Sequence, residues 1–124
     1  MKIGILTSGG DCPGNNATIR GVCKSALNHY GMEVYGIHNG FRGLMDGHIN
    51  RLTEESISGL LTLGGTILGT SREKPFKKAS ATLNNDKPSL ILKTLKDYGI
   101  DCLVCIGGNG TQKTAAKLME VGVN

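Results

Sequence analysis

Short apolar runs that stop at glycines and restart as helical patterns constrain this chain more than any other feature. Lys2–Thr7 leads into the glycine-rich segment Gly9–Asn16, and Cys102–Ile106 leads into Gly107–Thr111. Each segment opens a stretch with apolar residues every three to four positions, which is typical of a helix. A strand, a glycine turn and a helix in this order leave backbone N–H groups at the positive end of a helix dipole, where phosphate binds well. Two such turns predict a polyphosphate site built from both ends of the chain.

The rest of the chain continues this alternation of strands and helices. Strands are predicted at Lys2–Thr7, Glu33–His38, His48–Leu52 and Cys102–Ile106. Helices are predicted at Asn15–Tyr30, after the capping residue Thr53, at Pro88–Tyr98 with Leu90, Ile91, Leu92 and Leu95 on the buried side, and at Thr111–Val121, with a loop at Asn39–Gly47. The alternation predicts an α/β fold in which a mostly parallel sheet is covered by helices on both faces. Ligands are then expected at the carboxyl ends of the strands.

Size, charge and aromatic content narrow the choice of partners. The 124 residues allow at most one domain. The net charge of +4, from 14 basic and 10 acidic side chains, suits an anionic small molecule. Three tyrosines, two phenylalanines and no tryptophan leave little for bases to stack on, which argues against a nucleic-acid partner.

The apolar runs and the cysteines bear on location and metal binding. No run approaches the roughly 20 residues of a bilayer span, and the first residues lack the pattern of a signal peptide, so a cytoplasmic location is expected. Cys102 and Cys105 have the spacing of a metal-binding pair. Because residues three apart in a strand face opposite sides, we expect them to be buried thiols instead.

A third glycine-rich segment, Gly64–Arg72, combines glycines and hydroxyl side chains and ends in an arginine. It is expected to be another anion-facing loop, and the three loops together carry Asp11, Arg72 and Asn109. They match neither the Walker A pattern nor the dinucleotide fingerprint. In the last loop Asn109 is placed to face a hydrated metal ion, since magnesium keeps most of its waters, and Thr111 is placed to cap the helix.

The segments Gly9–Arg20, Gly64–Arg72 and Ile106–Thr111 resemble those of the 6-phosphofructokinases in order and spacing, over the whole chain. The resemblance implies a Rossmann-like N-terminal domain, incomplete here. It also implies ATP-dependent phosphorylation of fructose 6-phosphate to fructose 1,6-bisphosphate in glycolysis, with Mg²⁺. The segment Gly107–Ala115 is more similar to the plant-like ATP-dependent branch than to the bacterial allosteric type.

The resemblance also implies roles for single residues. The implied nucleotide-binding residues are Gly10, Arg72, Glu73, Gly108, Asn109, Gly110 and Thr111. Among them Arg72 would act in catalysis by stabilising charge on the transferring phosphoryl group. Asn109 would be an outer-shell metal residue. Phe41 would lie near the adenine, the alternative being an aromatic packed under a loop.

Several positions depart from the family pattern. The family usually has an aspartate where this chain has Asn109, so metal binding is expected to be weaker. Gly110 matches the ATP-dependent members, because pyrophosphate-dependent ones typically have an aspartate there. Glu54 and Gly59 stand where the bacterial effector site has an Arg/Asp pair, so bacterial-style effector control is not expected.

The family's catalytic base is an aspartate in a T-I-D-N-D segment, which this sequence does not contain. Asp11 lies in a turn and Asp101 precedes a strand, so neither is expected to replace it. The 124 residues are therefore expected to be the N-terminal, donor-binding part of a longer enzyme, commonly a homotetramer at full length, and to have no kinase turnover alone.

Three alternatives stay open on the sequence. One is a pyrophosphate-dependent phosphofructokinase. Another is a lipid or NAD kinase, whose G-G-[DN]-G-[ST] loop accounts for Gly107–Thr111 alone. The third is a stand-alone nucleotide-binding or polyphosphate-binding module without catalysis.

Overall fold

A computed structural model of the chain describes residues 1–9, 14–59, 65–70 and 87–124. The strands are β1 (Lys2–Thr7), β2 (Glu33–Ile37), β3 (Ile49–Leu52) and β4 (Cys102–Ile106). The helices are α1 (Asn15–His29), α2 (Gly40–Asp46), α3 (Glu54–Ile57), α4 (Lys87–Tyr98) and α5 (Asn109–Glu120).

The four strands form one sheet in the order β3-β2-β1-β4. β1 is parallel to β2 on one side, with Ile3 opposite Val34, and parallel to β4 on the other, with Ile5 opposite Val104. β3 is antiparallel to β2. The prediction of a mostly parallel α/β sheet is therefore confirmed.

Alternation along the strands divides the core between the two faces of the sheet. Ile3 and Ile5 of β1 pack on the face that α1 and α3 cover, together with Ile19 and Ile57. Leu6 of β1 points to the other face, where the buried residues of α2, α4 and α5 lie: Phe41, Leu44, Ile91, Leu95 and Leu118. Helices thus cover both faces, as predicted.

Three details of the sequence-based prediction are wrong. Residues 40–46 form helix α2 instead of a loop. The last helix begins at Asn109, two residues earlier than expected. In α4, Ile91 and Leu95 are buried, whereas Leu90 and Leu92 are 43% and 37% exposed. Residues four apart share one stripe of a helix, and residues on either side of that stripe turn towards solvent.

The strand cysteines lie as expected on opposite faces of β4, with Cys102 against the α1 face and Cys105 against the α4 face, but both are half-buried instead of fully buried. Both are free thiols. Burial raises the pKa of Cys105 to about 11, so its thiol stays protonated near neutral pH.

Within the described ranges, no helix combines the length and apolar character needed to cross a bilayer.

Candidate functional site

The order in which strands are added to the sheet changes sides between β1 and β4, which are parallel neighbours. From β1 the chain passes through α1 to β2 on one side, and it later returns through α4 to β4 on the other side. In such sheets the helices that follow neighbouring strands diverge to opposite faces and leave a crevice at the carboxyl ends of the strands. We call this end of the sheet the carboxyl edge. The crevice between β1 and β4 is the natural place for a ligand.

The turns after β1 and β4 approach each other closely at this crevice. The Ser8 N–H donates to the Ile106 carbonyl at 2.9 Å, which extends the pairing of the two strands. A Cβ atom at Gly107 would lie 2.7 Å from the Ser8 carbonyl oxygen and would also overlap the Thr111 side chain. Only glycine fits there, so this part of the predicted glycine turn is required by the packing of two backbones.

The N-terminus of α5 opens at the same place. Gly108 is the N-cap, with no side-chain hydrogen bond in that role, and residues 108–110 are exposed. The Gln112 N–H donates to the Gly108 carbonyl at 3.1 Å as the first bond of the helix. The N–H groups of Asn109, Gly110 and Thr111 precede that bond and have no partner within the helix. Three backbone donors therefore stand at the positive end of α5.

Thr111 has a different place from the predicted one. It lies in the first turn of α5, is only 5% exposed, and packs against Gly107 instead of capping the helix. Its backbone N–H is still among the three first-turn donors. The capping expectation is wrong because the helix begins before this residue.

The N-terminus of α1 is not equivalent to that of α5. Gly14 is its N-cap, and the Asn16 N–H donates to the Gly65 carbonyl at 2.8 Å. Asn15 and Asn16 are 7% and 2% exposed, so residues of the third glycine segment cover this helix end. The expectation of two similar helix ends with free N–H groups is therefore wrong for Asn16.

The described part of the third glycine segment, residues 65–70, lies at the carboxyl edge as predicted. The Thr7 hydroxyl at the end of β1 donates to the Gly69 carbonyl at 2.8 Å. The Asn39 N–H, just after β2, donates to the Leu68 carbonyl at 2.8 Å. The segment thus joins the ends of two neighbouring strands.

The structure brings together four of the predicted site residues, Gly108, Asn109, Gly110 and Thr111, at the start of α5. Gly10, Asp11, Arg72 and Glu73 lie outside the described residues. Phe41 is 1% exposed and packs with Leu44 and Leu118 in the core. Its burial favours the packed aromatic over a residue beside an adenine.

Two described carboxylates beside the sheet, Glu33 and Asp101, lie at its other end. Glu33 begins β2 and contacts the Lys2 ammonium, with 3.8 Å between Oε2 and Nζ. Asp101 comes just before β4 and accepts from the Lys2 backbone N–H at 2.8 Å. Asp101 is therefore not placed to act as a base near α5, as its position before a strand predicted. Residues 1–9, 14–59, 65–70 and 87–124 include no group of three metal-ligating side chains of the His, Cys, Asp or Glu type.

Two features of the carboxyl edge had no signal in the sequence pattern. The rings of His38 and His48 stack with centroids 4.7 Å apart, and Asn50 Nδ2 lies 3.0 Å from His38 Nε2. Burial, and then the charge of His48, lowers the pKa of His38. The buried side chains of Thr7 and Asn16 reach residues 65–70, and only the fold brings these distant positions together.

Known proteins are similar to this chain in both sequence and fold. The sequence profile described as Phosphofructokinase matches residues 2–124. The chain belongs to the phosphofructokinase family. A lipid or NAD kinase pattern, which accounts only for Gly107–Thr111, does not explain a match of this length.

Among curated phosphofructokinases, ATP-dependent 6-phosphofructokinase 3 of Bacteroides thetaiotaomicron is 68% identical over 124 residues, which are 100% of this chain and 37% of that protein. ATP-dependent 6-phosphofructokinase of Spirochaeta thermophila is 51% identical over 98% of this chain and 34% of its own length. The chain thus spans about a third of the length of these relatives.

Solved phosphofructokinases have the same fold. The T-state enzyme of Pichia pastoris superposes with a TM-score of 0.86 and 36% identity over 96% of this chain and 12% of that chain. A pyrophosphate-dependent phosphofructokinase of Marinobacter aquaeolei superposes with a TM-score of 0.80 at 22% identity, over 98% of this chain and 30% of that chain, a likeness of fold alone.

Proposed function

We propose that the chain is the donor-binding part of an ATP-dependent 6-phosphofructokinase, which transfers a phosphoryl group from ATP to the 1-hydroxyl of fructose 6-phosphate. The observation that carries the proposal is the open N-terminus of α5 in the crevice between β1 and β4. Backbone donors at a helix N-terminus bind phosphate well. The two relatives at 68% and 51% identity, both named ATP-dependent, support the choice of donor.

The glycines at the start of α5 support a ligand that approaches the backbone. A Cβ atom at Gly108 or Gly110 would meet no atom of the described residues within 4 Å. Neither glycine has a positive φ. Gly110 lies inside the helix, where glycine is less favourable than alanine by roughly 0.5–1 kcal/mol. The described fold does not require glycine at either position, whereas close approach of a phosphate to the backbone does.

The remaining roles follow from this proposal. We assign Gly10, Gly108, Gly110 and Thr111 to the donor phosphates and Glu73 to the nucleotide site. Arg72 stabilises the charge that spreads over the phosphoryl oxygens in the transition state. The proposal places the protein in the cytoplasm, with ATP and fructose 6-phosphate as its partners and no membrane or nucleic acid, and as a homotetramer when it is part of the whole enzyme.

The described residues fit a magnesium ion that the donor phosphates and water mainly hold. Mg²⁺ takes oxygen ligands, keeps several waters and needs few protein carboxylates when phosphates are present. At the start of α5 the exposed Asn109 has a side-chain amide oxygen to accept a hydrogen bond from such a water. The ion would supply charge neutralisation on the phosphates. Asn109 would orient the hydrated ion without the attraction of a carboxylate.

Binding of MgATP to glycine variants tests the donor site. We expect Gly110→Ala to weaken MgATP binding to the chain by about tenfold or more, because a methyl group would occupy the approach of the phosphate. Gly21→Ala on α1 is the matched control, since Gly21 is also exposed, helical and surrounded by open space among the described residues. Isothermal titration calorimetry measures both. Equal affinity of the two variants would contradict the donor site.

Two further measurements separate the proposal from its alternatives. MgATP that binds no better than metal-free ATP would favour a binding module without catalysis. The activity itself is tested in a hybrid enzyme, in which this chain replaces the corresponding residues of the Bacteroides thetaiotaomicron relative. We expect the resulting hybrid to form fructose 1,6-bisphosphate with ATP. A hybrid that turns over only with pyrophosphate would overturn the choice of donor.

A further inference from the structure

Residues 65–70 are fastened to the carboxyl edge by side chains that the donor site does not include. Leu68 is 1% exposed and packs in the core on the α1 face. The Ile67 N–H donates to Asn16 Oδ1 at 2.7 Å, and the Asn16 N–H donates to the Gly65 carbonyl at 2.8 Å. Residues 65–70 are therefore held both by packing in the core and by hydrogen bonds. In sequence they lead directly into Ser71 and Arg72.

Thr7 is at the centre of the polar contacts. Its side chain is fully buried, and its Oγ1 lies 2.8 Å from the Gly69 carbonyl oxygen and 2.9 Å from Thr66 Oγ1. A carbonyl oxygen only accepts, so the single Thr7 hydroxyl proton goes to Gly69. The Thr66 hydroxyl must then donate to Thr7. Because the Leu68 N–H donates to Thr66 Oγ1 at 3.1 Å, the chain of bonds runs from Leu68 through Thr66 and Thr7 to Gly69.

Each hydrogen bond in this series orients the group that makes the next one. Thr7 belongs to the central strand β1, which is paired on both sides, so its hydroxyl is anchored to a strand that two neighbours hold in place. Without that hydroxyl, the Gly69 carbonyl and the Thr66 hydroxyl would both lose a partner at a part-buried site. Such losses cost more than the mean value of a hydrogen bond, since desolvated polar groups are left unsatisfied.

We infer that Thr7 is a positioning residue, whose hydroxyl sets the conformation of residues 65–70, the segment that precedes Arg72 in the sequence. Its role in catalysis rests on the proposed function, in which Arg72 acts on the transferring phosphoryl group. Asn16 supports the same segment from α1. Neither Thr7 nor Asn16 needs to touch a substrate for this role.

Substitution of Thr7 in the hybrid enzyme tests the inference. Thr7→Val keeps the shape and removes the hydroxyl, and we expect it to lower kcat about tenfold while the KM for ATP changes less than about threefold, because misplacement affects groups that act in the transition state most. Thr7→Ser restores the hydroxyl without the methyl group. We expect it to recover kcat to within about threefold of the unsubstituted enzyme.

Thr94→Val is the matched control. Thr94 is also buried, at 8% exposure, and its hydroxyl donates to the Leu90 carbonyl at 2.9 Å within α4. The same substitution there removes a comparable bond without touching residues 65–70. A kcat for Thr7→Val equal to that of Thr94→Val, or a failure of Thr7→Ser to restore kcat, would overturn the inference.

Hydrogen exchange on the 124-residue chain separates this inference from the proposed function. We expect Thr7→Val to speed exchange of the Ile67 and Leu68 N–H groups about tenfold, with no such change in Thr94→Val. If the unsubstituted hybrid has no activity but exchange changes in this way, the proposed function fails and the positioning role of Thr7 stands. Unchanged exchange in Thr7→Val overturns the positioning role whatever the activity.

Discussion

At Gly107, among the described residues, the two turns of the site come so close that no side chain fits. An added Cβ there would overlap the Thr111 side chain and lie 2.7 Å from the Ser8 carbonyl oxygen. We expect Gly107→Ala to lower the free energy of unfolding by about 2 kcal/mol, because two backbones would have to separate. Urea denaturation measures the change. Gly108→Ala is the control, since its methyl group meets open space among the described residues, and equal effects of both substitutions would contradict the prediction.

The stacked rings of His38 and His48 make the free energy of unfolding depend on pH. In the folded chain burial, and then the charge of His48, lowers the pKa of His38. The unfolded chain therefore takes up this proton first as the pH falls, so the chain loses stability below the ordinary histidine pKa of about 6.5. The loss levels off once the pH has passed below the pKa of the folded state.

We expect the urea midpoint to fall between about pH 7.5 and about pH 5.5, and His38→Gln to make that fall smaller. His29→Gln, at an exposed position near the end of α1, is the control and is expected to leave the fall in place. A fall of the same size in the His38→Gln variant would show that other groups cause it.

At the scale of elements, the short helix α3 depends on its cap. The Thr53 hydroxyl accepts from the Ser56 N–H at 3.4 Å, and the Thr53 N–H donates to Ser56 Oγ at 3.1 Å. This reciprocal pair holds a four-residue helix whose Ile57 is fully buried against the α1 face. We expect Thr53→Ala to destabilise the chain by about 1 kcal/mol. Thermal unfolding checks this, and Thr53→Ser, which keeps the acceptor, is expected to stay close to the unsubstituted chain.

Periodicity predicted most elements of the fold but not α2. The strands and the other helices were predictable because their apolar residues alternate or recur at the spacing of one buried face. Within α2 the glycines looked like breaks in the chain. Gly43 instead lets the helix approach the backbone of His38, because a Cβ atom there would overlap the His38 carbonyl oxygen. A close contact between elements has no pattern along the sequence.

The candidate site was predictable to a similar degree. The glycines of Gly107–Thr111 indicated the open start of α5, because a glycine turn between a strand and a helix has a direct physical meaning. The closed end of α1 was not predictable, since it depends on Gly65, some fifty residues further along the chain. The same holds for Thr7, whose partners at Thr66 and Gly69 are known only from the fold.

At the scale of the whole molecule, binding of the donor is expected to need fewer residues than turnover. We expect the 124-residue chain to bind MgATP but to form no fructose 1,6-bisphosphate. Among the described carboxylates, Glu33 and Asp101 lie at the amino ends of β2 and β4, away from α5, so neither can accept a proton from a sugar at the carboxyl edge. A coupled assay at high protein concentration checks this. Product formation that scales with the amount of chain would contradict the prediction, and the hybrid enzyme is the positive control.

The order β3-β2-β1-β4 has a consequence for how the chain is made. β1 leaves the ribosome well before its second partner, β4, which begins about a hundred residues later. At roughly 5–20 residues per second, one edge of this apolar strand waits on the order of 5–20 s for its neighbour. During that time the nascent chain exposes unpaired backbone groups beside Ile3, Ile5 and Leu6, which are a template for aggregation. The strand that anchors the site in the finished fold is thus also a part of the nascent chain that is open to aggregation until β4 arrives.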